Sequence, residues 1–158
     1  MAISKILNMK DCGGHFHGKH LKRALDYVMN PDKTQDGRLV GAINCQVDTA
    51  FEQMKETKRN FGKIDKRQGY HIILSFKENE VNPDTAFEIT QKFVEEYLGK
   101  SYEAVFVVHD NTAHVHSHIV FNSVSFVDGK KYRYEKGDWA KYIQPITHRP
   151  VSYTHLRA

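Results

Sequence analysis

The chain has 158 residues and a mass of 18.3 kDa, which is the size of one domain. Its 40% apolar and 27% charged residues exclude a disordered chain, and no apolar run approaches the roughly 18 residues of a membrane span. The net charge of +4 allows a polyanionic partner without requiring one, and two cysteines are too few to staple this fold and suit a reducing cytoplasm.

The N-terminal half predicts two strands and two helices. After a first strand comes a glycine-broken loop, and then Leu21 and Leu25 recur at helical spacing until Pro31 removes an amide donor. Asp48 is the expected N-cap of the second helix, and a basic loop follows that helix. The predicted ranges are strand Ala2–Leu7, helix Lys19–Met29, strand Leu39–Cys45 and helix Asp48–Phe61.

The C-terminal half gives clearer signals. Asn82 and Pro83 begin a helix with a cap and a proline in its first turn, and Gly99 ends it. A short polar link predicts a hairpin between two following strands, and Asp128-Gly129 predicts the turn of a second hairpin. The predicted strands are Tyr70–Phe76, Tyr102–Val108 and Val115–Phe126, and a last helix is expected from Trp139.

The order of these elements predicts the fold class. Strands and helices mix without strict β-α-β alternation, which favours an α+β fold. We expect a single domain with a mostly antiparallel sheet of about five strands and with the helices packed on one face.

Histidines concentrate on one face of one predicted strand. Residues two apart share a strand face, so His114, His116 and His118 project together, and the hairpin brings His109 back beside them. Three imidazoles from two paired strands can hold a divalent cation and leave coordination positions open for a substrate. A lone histidine on a strand is usually only a hydrogen-bonded side chain, but four together favour a metal site.

A second group of histidines gives a weaker signal. His15, His17 and His20 lie in and after the glycine-rich loop, where a structural role or a substrate contact is the expectation.

Two basic segments are candidates for contacts with nucleic acid. Lysines and arginines can neutralise backbone phosphates, and interleaved tyrosines can stack on bases. Runs of charge are more often only solvated surface. The candidate residues are Lys58, Arg59, Lys63, Lys66, Arg67, Lys130, Lys131, Tyr132 and Arg133.

These motifs together resemble the relaxase/mobilisation nuclease family (MobA-like), among the His-hydrophobe-His endonucleases. The segments that carry the resemblance are 21–34, LKRALDYVMNPDKT; 70–76, YHIILSF; and 109–122, HDNTAHVHSHIVFN. The resemblance covers residues 1 to about 146 in the family's order, and the histidine motif is its most specific part.

The resemblance implies site- and strand-specific nicking of plasmid or integrative-element DNA at a transfer origin, followed by rejoining. Tyr27 would attack the scissile phosphate and give a 5′-phosphotyrosyl enzyme and a free 3′-hydroxyl. The metal, Mg²⁺ or Mn²⁺, would be bound by His109, His116 and His118, with His114 as an alternate ligand. His71, Ser75, Asn111 and Asn122 would lie behind or beside these ligands, although the family usually has an aspartate where Asn111 stands.

The family also implies partners. Single-stranded DNA at the transfer origin is the expected substrate, with accessory relaxosome proteins and a coupling protein of a type IV secretion system. We expect residues 1–147 to form a nuclease domain that is incomplete at its C-terminus, and residues 148–158 to be a tail that does not look native. The remaining alternatives are a rolling-circle replication initiator, a non-catalytic nucleic-acid-binding module and, with less support, a zinc hydrolase.

Overall fold

The computed structural model describes residues 3–8, 19–78, 80–111, 114–135, 137–143 and 145. They form five strands and three α-helices, with a 3₁₀ turn at Val47–Thr49 and a single π-helical turn at Trp139–Ile143. The elements are β1 Ile3–Asn8, α1 Lys19–Val28, β2 Val40–Ile43, α2 Ala50–Asn60, β3 Gly69–Ser75, α3 Pro83–Tyr97, β4 Ala104–His109 and β5 His116–Asn122. Among the described residues, no helix is long and apolar enough to cross a membrane.

The strands form one antiparallel sheet in the order β1-β3-β5-β4-β2. The central strand, β5, pairs with β3 on one side and with β4 on the other. The predicted α+β class and antiparallel sheet are therefore confirmed. At the second predicted hairpin, the described residues form an isolated β-bridge between Val124 and Lys131 instead of two paired strands.

Helices cover both faces of the sheet, so the prediction of helices on one face is wrong. On one face, α3 packs Phe93 and Val94 against Phe106 and Ile119 in a large core. On the other face, α1 and α2 pack against a second apolar cluster that includes Val107. The alternation of the strands does not predict this second cluster, because its valines lie on the same face of the sheet as the polar histidines.

Local sequence signals explain how the helices begin. The Asn82 side chain accepts a hydrogen bond from the amide of Thr85 at 2.8 Å, so the predicted cap of α3 is confirmed. Asp48 does not cap α2, because it lies inside the 3₁₀ turn, and α2 begins two residues later. There the side chain of Gln53 reaches back and accepts hydrogen bonds from the Gln46 amide and the Thr49 hydroxyl.

Candidate active site

Three histidines meet where β4 and β5 pair. His109 and His116 are direct cross-strand partners. His118 lies two residues further along β5, on the same face of the sheet. Their ring centroids are 4.3–5.3 Å apart, and one ring nitrogen from each lies within 4.8 Å of the others. His109 and His118 are buried and His116 is half-buried, so one side of the cluster is open to solvent.

Each ring makes one hydrogen bond away from the cluster. His109 Nε2 donates to the Val28 carbonyl at 2.9 Å, and His116 Nδ1 donates to the His114 carbonyl at 3.0 Å. His118 Nδ1 lies 2.7 Å from His71 Nε2. Such outer bonds fix the ring orientation and the tautomer of metal-binding histidines.

The other nitrogens fit a divalent cation. The outer bonds leave His109 Nδ1, His116 Nε2 and His118 Nε2 available to the centre of the cluster. His118 Nε2 is buried and has no hydrogen-bond partner in the structure, an arrangement that costs free energy unless a ligand completes it. The donor set is three imidazoles, which suits a first-row divalent metal with open positions for substrate oxygens.

Burial favours the neutral form of His71, His109 and His118. It is the main cause that lowers the pKa of His118 to about 2 and that of His71 to about 4, with a further contribution from the neighbouring His109 in both cases. Burial also lowers the pKa of His109, with smaller contributions from His116 and Lys33. Neutral imidazole is the form that binds metal, so the lowered pKa values favour the ligating form of His109 and His118 near pH 7.

Tyr27 lies beside the histidine cluster at the end of α1. Its ring centroid is 6.0 Å from that of His109 and 6.2 Å from that of His118, in edge-to-face geometry. The helix turns Leu21 and Leu25 into the core and leaves the Tyr27 side chain 51% exposed, so its ring faces both the cluster and solvent.

Sequence reasoning placed some of the neighbouring residues correctly and missed others. His71 contacts His118 as expected, and Ser75 lies directly opposite His116 on β3. Asn111 is exposed just beyond β4, and the hydrogen bond of His109 Nε2 goes to the Val28 carbonyl. The backbone carbonyl partners have no sequence signal, because any residue type can provide them.

The first histidine group lies largely outside the described residues, since His15 and His17 belong to the segment 9–18. His20 lies in the first turn of α1. His114 is exposed and is not part of the cluster of three described above.

Asn122 and Lys58 belong to a buried polar network rather than to the places predicted for them. Lys58 is 2% exposed and donates to Asn122 Oδ1 at 2.6 Å and to the Gln68 carbonyl at 3.1 Å. The Asn122 amide donates to Glu103, which also accepts from Thr57. Asn122 is six residues along β5 from His116 and four from His118, about 20 Å and about 14 Å, so it does not contact the histidine cluster. Lys58 cannot contact DNA because it points into the protein.

Most of the other predicted basic residues line a cleft, and the rest lie outside it. A cleft of about 760 Å³ lies between the loop after α2 and the second hairpin, so the two predicted segments converge. Two lysines tie its walls together, because Lys63 donates to the Gly129 carbonyl and Lys131 to the Asp65 carbonyl. The predicted residues that line it are Lys63, Lys66, Lys130, Lys131 and Arg133.

Besides Lys58, three predicted DNA contacts lie outside this lining. Arg59 is exposed and pairs with Glu56 at 3.1 Å, and the Arg67 guanidinium lies 5.7 Å from the Tyr70 ring centroid. Tyr132 is 9% exposed and packs in the main core, with its hydroxyl 2.6 Å from that of Tyr97. The prediction that Tyr132 stacks on bases is therefore wrong.

Comparison with known proteins identifies the family. A family model described as the nuclease domain of MobA/VirD2-like relaxases matches residues 27–149. The chain belongs to this family. The match includes Tyr27 and the three clustered histidines, and it confirms the resemblance inferred from the motifs.

Curated relatives include a protein named rlx and a relaxase. The chain is 33% identical over 118 residues to the protein rlx of Staphylococcus aureus, covering 75% of this chain and 34% of that protein. It is 28% identical over 146 residues to the group II intron-interrupted relaxase LtrB of Lactococcus lactis, covering 76% of this chain and 25% of LtrB. The chain thus spans about a third or less of the length of these relatives.

Two solved structures share the fold of this relaxase domain. The conjugative relaxase TrwC, in its metal-bound complex with oriT DNA, superposes with a TM-score of 0.62 at 11% identity. That match covers 98% of this chain and 70% of the TrwC chain. A protein from a study of vancomycin resistance transfer in Staphylococcus aureus gives a TM-score of 0.57 at 10% identity, covering 99% of this chain and 91% of that one.

Proposed function

We propose that this chain is the nuclease domain of a DNA relaxase that nicks and rejoins one strand at the transfer origin of a mobilisable plasmid or integrative element. The observation that carries the proposal is the position of an exposed phenol, Tyr27, beside a cluster of three histidines whose inner nitrogens face one point. Membership of the relaxase family supports the reaction class.

In the proposed reaction, the Tyr27 oxygen attacks the scissile phosphorus. A bond forms between that oxygen and phosphorus, and the bond from phosphorus to the 3′-oxygen breaks. The phenol proton leaves to a base, and the 3′-oxygen takes up a proton to become a free hydroxyl. One phosphodiester replaces another, so the 5′-phosphotyrosyl linkage conserves the energy needed for rejoining.

His109, His116 and His118 would hold the divalent metal. When bound, the ion polarises the phosphate oxygens and stabilises the negative charge of the transition state. His71 orients His118, since His118 can present Nε2 only when its Nδ1 carries the proton and donates to His71. Three imidazoles with open positions are compatible with Mn²⁺ or Mg²⁺, the ions expected from the family.

The basic cleft is the proposed second contact with DNA. Its lysines and Arg133 can neutralise phosphates, and its lining includes Ser125, which follows the C-terminal end of β5, whereas His116 begins that strand. The natural substrate we propose is single-stranded DNA at the transfer origin. Accessory proteins and a coupling protein would act with the nuclease domain in the cytoplasm.

The test of this proposal is a covalent adduct. The protein is incubated with Mn²⁺ and a random-sequence pool of single-stranded DNA labelled at the 3′ end, because the 5′-phosphotyrosyl product retains that end. We expect a labelled protein species that survives denaturation, that disappears with a chelator, and that Tyr27→Phe abolishes.

Tyr142→Phe is the matched control, since Tyr142 is a similarly exposed tyrosine outside the site. DNA binding without any adduct in the unchanged protein would contradict the proposal and support the non-catalytic binding module. An adduct that persists in Tyr27→Phe would show that another residue is the nucleophile.

A further inference from the structure

A lysine lies against the proposed nucleophile. The Lys33 Nζ is 4.0 Å from the centroid of the Tyr27 ring, well within the range of a cation–π contact. Lys33 is half-buried, and its charge is one of the contributions that lower the pKa of both His109 and His118. The ammonium therefore lies in the same small region as the phenol and the imidazoles.

The backbone holds Lys33 firmly in this place. It belongs to the turn after α1, where its amide donates to the Asn30 carbonyl at 3.0 Å. The Lys33 carbonyl accepts from the Asp110 amide at 3.2 Å, which ties the turn to the end of β4 directly after His109. The next residue, Thr34, is fully buried, so the turn has an inner and an outer side.

The folded protein alone does not explain a positive charge at this position. Within the part of the chain that the structure describes, no carboxylate forms an ion pair with Lys33. The nearby Asp110 carboxylate accepts instead from the Gln35 side chain. A bound metal would add more positive charge beside Lys33, so the group is repelled unless an anion binds there.

We propose that Lys33 is a catalytic residue that pairs with a non-bridging oxygen of the phosphodiester while Tyr27 attacks it. This inference rests on the proposed function. Before the substrate binds, the ammonium lies on the ring face and holds the phenol beside the histidines. As the bond from the Tyr27 oxygen to phosphorus forms, negative charge builds on the phosphate oxygens, and the flexible lysine stem lets the ammonium follow that charge. Lys33 neither gains nor loses a proton in this step.

The experiment compares Lys33→Met and Lys33→Arg in the adduct assay with Mn²⁺ and the 3′-labelled single-stranded pool. Removing one charged contact to a transition state typically lowers the rate by about 10²–10³-fold. We expect that loss in the rate constant at saturating DNA for Lys33→Met, with the DNA concentration at half-maximal rate changed by less than about threefold. Lys33→Arg keeps the charge, and we expect it to recover most of the rate.

Lys92→Met is the matched control, since Lys92 is exposed on α3 on the opposite face of the sheet. A Lys33→Met protein that forms adduct as fast as the unchanged protein overturns the role of Lys33 and leaves the proposed function intact. Equal losses in Lys33→Met and Lys33→Arg, with unchanged thermal unfolding, also overturn it, because charge would not be the relevant property. Absence of adduct from the unchanged protein overturns the proposed function and this inference together.

Discussion

The buried Lys58 offers a quantitative test of the structure, because its contribution to stability must depend on pH. Its ammonium donates two hydrogen bonds, to Asn122 Oδ1 and to the Gln68 carbonyl, in a site with 2% exposure. Burial lowers the pKa of Lys58 to about 7, with the attraction of Glu103 opposing this and the charge of Lys131 adding to it. We consider the substitution Lys58→Met, which keeps the volume and removes the amine.

The expected change in the free energy of unfolding is the difference between the loss of two hydrogen bonds and the gain from no longer burying an ionisable amine. Methionine leaves two buried acceptors unpaired, at about 1–3 kcal/mol each, so the substitution lowers the free energy of unfolding by roughly 2–6 kcal/mol when the lysine is neutral in both states. Below pH 10.5 the unfolded lysine is protonated, whereas above about pH 7 the folded one is not. The unfolded state therefore binds more protons, and the stability of the unchanged protein rises with pH across this window by about 1 kcal/mol per unit.

Lys58→Met removes this pH dependence. Near pH 7 the variant no longer pays the free-energy cost of burying an ionisable amine. This gain offsets the lost hydrogen bonds, as it does when buried ion pairs are replaced by apolar groups. We expect a small change in unfolding free energy at about pH 7 and a loss larger by about 2–3 kcal/mol at about pH 9.5. Urea denaturation at both pH values, with the m-value held as a check of two-state unfolding, measures the difference.

Lys92→Met makes the same chemical change at an exposed position of α3 and should alter stability by less than about 0.5 kcal/mol at either pH. A loss in Lys58→Met that is equal at the two pH values would refute the reasoning, because Lys58 would then have the same protonation in the folded and unfolded states. A large loss at pH 7 that shrinks with rising pH would show that a charged Lys58 is stabilised by Glu103, which is the opposite balance.

Three further outcomes are expected from the site and the core. His71→Phe should weaken Mn²⁺ binding, measured by calorimetry without DNA, by about 10–100-fold, because His118 loses the partner that fixes its tautomer; an unchanged affinity would exclude that role. Mn²⁺ at about 100 times its dissociation constant should stabilise the folded protein by about 2.7 kcal/mol, which a rise in melting temperature measures. EDTA should reverse this rise, and the His118→Ala protein should not show it. Equal rises in both proteins would place the metal elsewhere. Tyr132→Ala should lower unfolding free energy by roughly 3–5 kcal/mol, whereas Tyr142→Ala should change it little, since only Tyr132 is buried; similar small effects would contradict the core position of Tyr132.

The sequence predicted those parts of the site that depend on strand alternation. His116 and His118 are two residues apart on a strand whose other face carries Ile119 and Phe121, so their common direction follows from the pleat. The short link before β5 made His109 a neighbour, and the structure pairs it directly with His116. A period of two is a strong constraint, because a slip of one residue would expose the apolar face.

The sequence could not predict environments that distant segments create. Lys58 looks like part of a basic surface run, but α2 turns it toward Asn122 and Glu103, which lie far away in the chain. Tyr132 has charged neighbours in sequence and aromatic neighbours in space, including Tyr70 and Phe121. Local patterns report the chemistry of a residue, whereas burial depends on which elements pack against it.

The packing of α1 on the sheet face that carries the histidines could not be predicted from the sequence either, and it explains the geometry of the site. Along β5, one face carries His116 and His118, then the apolar Val120 and finally the buried Asn122, so an apolar part lies next to the histidines. α1 packs on the apolar part, where Leu25 meets the valines, and its end therefore stops at the edge of the histidine cluster.

The position of α1 brings three functional groups to the cluster from one short segment. Tyr27 provides the phenol, the Val28 carbonyl accepts from His109, and Lys33 returns from the following turn to the Tyr27 ring. The Val28 carbonyl is at the last residue of α1 and has no partner within the helix, so the imidazole satisfies a group that every helix end leaves open. The same bond fixes the tautomer of His109 and leaves its Nδ1 free to bind the proposed metal. The packing of one amphipathic helix thus sets both the position of the proposed nucleophile, Tyr27, and the orientation of the proposed metal ligand, His109, which is why neither can move without the other.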